Sequence, residues 1–126
     1  MKELIKKIRK FRDERDWDQY HSPKNLSMAL MVEAAELAEH FQWLTQEQSR
    51  NLSEEKLTAI KDEIGDVMIY LANLSDKLGI DPLEAAQGKL EKNKKKYPAD
   101  LVKGKADKYS THKEKEHQDG NDSSRS

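Results

Sequence analysis

Cysteine is absent from this 126-residue chain, which excludes a disulfide framework, a thiolate metal site and a cysteine nucleophile. Long apolar runs are missing too. The longest are Met28–Val32 and Val67–Ala72, far short of the roughly 20 residues of a membrane-spanning helix. The first 16 residues never place more than two apolar side chains together, so they hold no secretory core, and Glu3, Asp13 and Glu14 argue against a transit peptide. Neither charge sign dominates: 23 Lys and Arg stand against 24 Asp and Glu, with no basic bias for nucleic acid. Three Val and six Ile, in no alternating run, leave little material for strands. The expectation is a soluble cytoplasmic protein with neither a membrane nor a nucleic-acid polymer as partner.

What is present is charge and helical periodicity. Charged residues make up 37% of the chain, against roughly 25% in an average domain. The apolar deficit is concentrated after Lys103, where Ala106 and Tyr109 are the last apolar residues. Residues 1–110 are therefore read as one domain and 111–126 as a polar, disordered tail. Leu4, Ile5, Ile8 and Phe11 form one face of a first helix. Trp17–Lys24 reads as a loop. A second helix runs from Pro23 or Asn25 to Trp43, with Ser22 as its cap. Leu57, Ile60, Ile64, Val67, Leu71, Leu74 and Leu78 mark a third by steps of three and four. Ser53 suits its start and Gly79 its end. Asp81-Pro82-Leu83-Glu84 opens a fourth that closes near Tyr97-Pro98. The fold class is all-α and four-helix bundle-like. Val67–Ala72 puts apolar groups on every side of the third helix, which four short helices cannot cover, so a homo-oligomer is expected.

Two acidic pairs stand out, Glu33-Ala-Ala-Glu36 on the second helix and Glu63-Ile-Gly-Asp66 on the third. A spacing of three places both acids of a pair on one side of a helix. The link from Leu44 to Leu52 is short, which makes the two helices antiparallel neighbours, and all four carboxylates then meet near mid-length. Two unit charges 4 Å apart repel by about 4 kcal/mol at an effective dielectric near 20. Such a cluster requires protons or cations, and an all-oxygen set suits Mg²⁺ first and Mn²⁺ second. Either pair alone fits simple solvation; both together, each mid-helix on an apolar element, point to ligation. A di-iron bundle would need Glu-x-x-His, and the residues three beyond Glu33, Glu36 and Glu63 are Glu36, Glu39 and Asp66. Gly65, between two candidate ligands, fits either a close approach or tight packing.

Five lysines between Lys89 and Lys96 close the fourth helix, where they complement its dipole. Lys89 and Asn93, four apart, are placed to face inward toward a phosphate or a sugar. Trp17 and Trp43, with Tyr20 and His21 nearby, fit either core packing or a wall for a base. His40 has no role in this reading.

The segments WDQYHSPKNL, ALMVEAAELAEHFQW, EIGDVMIYLANL and KLEKNKKKYPADL, in this order, resemble the all-α nucleoside triphosphate pyrophosphatases, the MazG-like superfamily, and especially its dCTP pyrophosphatase branch. The likeness covers about residues 1 to 110. Val32 stands where the superfamily often writes the first acid of Glu-Glu-x-x-Glu. The resemblance implies Mg²⁺ on Glu33, Glu36, Glu63 and Asp66, with catalysis at the same carboxylates. It implies a base and sugar pocket lined by Trp17, His21, Trp43 and Tyr70, and nucleotide contacts from Lys89 and Asn93, partly across a subunit boundary. It also implies a dimer or dimer-like tetramer, and hydrolysis of a nucleoside triphosphate to the monophosphate and pyrophosphate in nucleotide-pool house-cleaning.

Overall fold

Local capping chemistry sets most helix boundaries in the computed structural model, which describes residues 1–104. The tail expected beyond residue 110 lies outside the described residues. Helix α1 spans Lys2–Glu14 and is followed by a 3-10 turn over Asp18–Tyr20. Helix α2 spans Pro23–Glu39; the Ser22 hydroxyl accepts from the Asn25 amide and Pro occupies the first turn. These groups satisfy N–H groups that would otherwise be orphaned at the helix start.

Two boundaries differ from the sequence reading. The helix α2 ends at Glu39 rather than Trp43, because Phe41 and Gln42 both donate back to the Ala38 carbonyl and tighten the chain into turns. The link to the next long helix also holds a short helix, α3, over Gln46–Arg50. Its capping box pairs Thr45 and Gln48 reciprocally, the Thr-x-x-Gln pattern of a helix start. Helix α4 covers Glu54–Lys77 from a Ser53 cap. It ends at Gly79, whose φ is +68°. There the Ile80 amide donates to Ser75 O at 2.8 Å and the Gly79 amide to Asp76 O at 3.1 Å. This is a Schellman closure, which glycine enters without a Cβ clash.

Residues 1–83 make one compact unit, in which α1 and α2 both pack on α4. His21, just before α2, reaches Asn73 near the end of α4. Glu33 and Glu36, later in α2, meet Glu63 earlier in α4. The two helices are therefore antiparallel, as the short connection requires. Ile8, Leu26, Ile60 and Ala72 are the buried apolar residues of this core. Every second apolar position of α4 behaves differently. Ile60 is buried and Val67 and Leu74 half-buried, whereas Leu57, Ile64, Leu71 and Leu78 are 38–52% exposed. The apolar stripe read from the sequence is thus two rows, and the row of Leu57, Ile64, Leu71 and Leu78 lies open in the single chain. No helix among the described residues is long and apolar enough to cross a membrane.

A second unit begins at Glu84. Its main element is α5, Pro82–Lys96, which starts with the Leu83 amide donating to Asp81 Oδ1 at 2.9 Å. A short helix α6, Ala99–Val102, follows. The Tyr97 amide donates to the Asn93 carbonyl at 2.8 Å, and the Lys96 ammonium lies 5.8 Å from the Tyr97 ring centroid, a cation–π contact that holds the turn between the two helices.

Candidate metal centre and its adjoining cavity

Glu33 and Glu36 lie one turn apart on α2, and Glu63 faces them from α4. Each offers an oxygen within 4.8 Å of the others, and all three side chains are half-buried. Glu33 Oε2 and Glu63 Oε2 are buried without any hydrogen-bond partner. An ionised carboxylate only accepts hydrogen bonds, so such an oxygen needs a proton or a cation. The electrostatics agree. Partial burial, then the neighbouring Glu36, raises the pKa of Glu33, with Asp66 and Glu63 adding to it. Burial likewise raises that of Glu63, with Glu36 and Asp66 behind it, while His40 opposes the shift. This donor set fits a hard divalent cation: it is all oxygen, anionic and short of partners.

Asp66, the fourth expected ligand, is exposed and stands outside that tight trio. It acts on Glu33 and Glu63 through its charge and lines an adjacent cavity of about 420 Å³. That volume lies within the roughly 300–1,000 Å³ of small-molecule sites. Trp17, His21 and Tyr70 line the same cavity, so three of the four side chains expected to hold a base are gathered beside the acids. Trp43 is not. It stands 86% exposed in the turns after α2, outside the lining residues, because the early end of α2 carries it off the helix face. Lys89 and Asn93 lie on α5, in the second unit.

Several lining residues escaped the sequence reading. Phe11 and Trp17 meet edge to face, with ring centroids 5.7 Å apart. Ile8 and Ile69 supply apolar wall. Arg12, in the last turn of α1, is buried, and its Nη1 donates to Asn73 Oδ1 at 2.8 Å. On the other side of that amide, Nδ2 lies 3.1 Å from His21 Nδ1. An Arg four residues after Ile8 continues the inward face of α1, the one local sign that it would be buried. His40, four residues after Glu36, likewise shares the face of the acids.

A family model described as MazG-like matches residues 28–112. The dCTP pyrophosphatase 1 proteins of Bos taurus and Homo sapiens are each 40% identical to this chain over 101 residues, 79% of it. The match covers 60% and 59% of those proteins, so the chain spans about 60% of the length of the curated relatives it matches. The crystal structure of a pyrophosphatase from Archaeoglobus fulgidus DSM 4304 superposes with a TM-score of 0.74 at 44% identity, covering 78% of this chain and 92% of that one. With its all-α architecture, its paired acids and these matches, the chain belongs to the MazG-like family of the all-α nucleoside triphosphate pyrophosphatase superfamily.

Proposed function

We propose that this protein hydrolyses a nucleoside triphosphate, dCTP or a modified dCTP first, to the monophosphate and pyrophosphate. The single observation that carries the reading is a trio of carboxylates with two unpartnered buried oxygens beside an aromatic-walled cavity that shares Asp66. Glu33, Glu36, Glu63 and Asp66 would hold Mg²⁺, or Mn²⁺ in its place. The cation supplies neutralisation of the triphosphate and lowers the pKa of a nearby water. The chain's own groups do the rest. Glu33 or Glu36 accepts the proton of the attacking water. The new bond forms at the α-phosphorus, the bond to the bridging oxygen breaks, and pyrophosphate departs. Trp17, His21 and Tyr70 receive the base and sugar. Trp43, Lys89 and Asn93 enter this proposal through the family resemblance alone, Lys89 to offset phosphate charge.

Pyrophosphate release from a panel of natural and modified triphosphates, with and without Mg²⁺, tests the reading. Metal-dependent release with dCTP or a modified dCTP ranked first is the expected result. Preference for dUTP or a purine keeps the chemistry and changes the substrate; no release from any triphosphate refutes it.

The open row Leu57, Ile64, Leu71 and Leu78 on α4 supports self-association, since a seven-residue apolar repeat is the pattern of a helix-to-helix seam. A dimer or tetramer is the expected mass in sedimentation equilibrium, and a monomer at micromolar concentration contradicts it.

A further inference from the structure

Asn73 is 4% exposed, lines the cavity, and is engaged on both sides. Arg12 Nη1 lies 2.8 Å from one end of its amide and His21 Nδ1 lies 3.1 Å from the other. The chemistry of these partners leaves no freedom of assignment. A guanidinium only donates, so the amide atom facing Arg12 is the oxygen. The atom facing His21 is then the NH₂ group, which also only donates. His21 Nδ1 must therefore carry its lone pair, and the proton of the neutral ring resides on Nε2.

Arg12 is itself enclosed between two acids. It is 8% exposed, its Nη1 lies 3.9 Å from Asp76 Oδ2, and its Nε lies 3.2 Å from Asp18 Oδ1. Arg9 Nε donates to the same Asp76 at 2.9 Å, and Lys77 pairs with Asp18. Turning the amide over would set an NH₂ against a buried guanidinium, donor against donor. Burial first, then the charges of Arg12 and Lys77, lowers the pKa of His21 against the opposing pull of Asp18.

We propose that Arg12 and Asn73 are positioning residues that lock His21 as the Nε2–H tautomer, so that the cavity offers a fixed hydrogen-bond donor and selects a base by an acceptor on its edge. N3 of cytosine is such an acceptor, whereas N3 of uracil carries a hydrogen. The inference rests on the cavity receiving a base, as proposed above. Asn73→Asp tests it without emptying the site, since a carboxylate still pairs with Arg12 but can only accept from His21. Above the pH at which the ring loses its second proton, that variant moves the proton to Nδ1 and leaves Nε2 as an acceptor.

Long-range imidazole ¹⁵N spectra, with His21 assigned from a His21→Asn variant, read the tautomer directly. The wild type should show Nε2–H and Asn73→Asp should show Nδ1–H. The kcat/KM ratio of dCTP to dUTP should fall about tenfold in Asn73→Asp, as for one hydrogen bond exchanged. Arg12→Lys, which keeps a donor-only group, should retain the wild-type tautomer and the wild-type ratio. A wild-type His21 protonated on Nδ1, or an unchanged ratio despite a reversed tautomer, overturns the inference. A wild type that releases no pyrophosphate from any triphosphate removes base selection together with the proposed reaction, and the spectra tell that outcome apart from a wrong tautomer.

Discussion

Replacing Glu33 by Gln should make the metal-free protein more stable while abolishing its turnover. The Glu33 and Glu36 oxygens lie within 4.8 Å of each other. At that separation two unit charges repel by about 3.5 kcal/mol at an effective dielectric of 20 and by about 1 kcal/mol in bulk water. Both side chains are half-buried, so relief of about 1–2 kcal/mol is expected, with solvent screening counted. The new amide also supplies donors to a cluster that has only acceptors. For a domain of this size that gain raises the melting temperature by about 4–8 °C per kcal/mol. Thermal unfolding in a chelator, then with increasing Mg²⁺, measures it. The wild type should gain stability with Mg²⁺ by mass action, whereas Glu33→Gln should begin higher and respond weakly. A variant that melts lower in chelator, or that keeps full pyrophosphate release, refutes the account of these acids as mutually repelling ligands.

The pH dependence follows from the same groups. Glu33 and Glu63 have folded pKa values above the ordinary carboxylate value, so the fold binds protons more readily than the unfolded chain. Metal-free stability should therefore rise as pH falls from neutral toward about 4.5 in chelator melts. Asp18, held down chiefly by Lys77, and Asp76, held down chiefly by Arg9, act oppositely. Their stabilisation is present above about 3.9 and is lost as pH falls below it, so a melting curve against pH should show a maximum in the acid range. Asp66→Asn should abolish pyrophosphate release with helicity by circular dichroism intact; full activity would remove Asp66 from the site. Leu57→Lys with Leu71→Lys should lower the sedimenting mass to that of a monomer. Gly79→Ala places a Cβ at φ +68° and should cost about 1–2 kcal/mol, read as a lower denaturant midpoint with an unchanged slope.

How legible the molecule was depended on the range of each interaction. Ser22 before Pro23, Ser53 before two Glu, and Gly79 after Leu78 set their helix ends through bonds spanning a few residues, and such bonds are written in adjacent letters. The Thr45–Gln48 capping box is equally local, but the segment around it carries no apolar repeat to mark a helix. Glu33, Glu36, Glu63 and Asp66 were readable as pairs, since a spacing of three dictates a shared helix side.

Other features exist only once helices pack. That Glu33 and Glu63 each keep one oxygen from every partner, that Asp66 turns to the cavity, and that Leu57, Ile64, Leu71 and Leu78 stay open all depend on where α2 lies along α4. Arg12, Asn73 and His21 come from three distant stretches, and no local pattern foretells that one amide will join them. Periodicity and capping chemistry thus determined which segments are helical and which acids share a side, because those depend on backbone geometry within a few residues. Tertiary packing alone decided which polar atoms lose water and face one another, because desolvation and hydrogen-bond complementarity belong to the assembled surfaces.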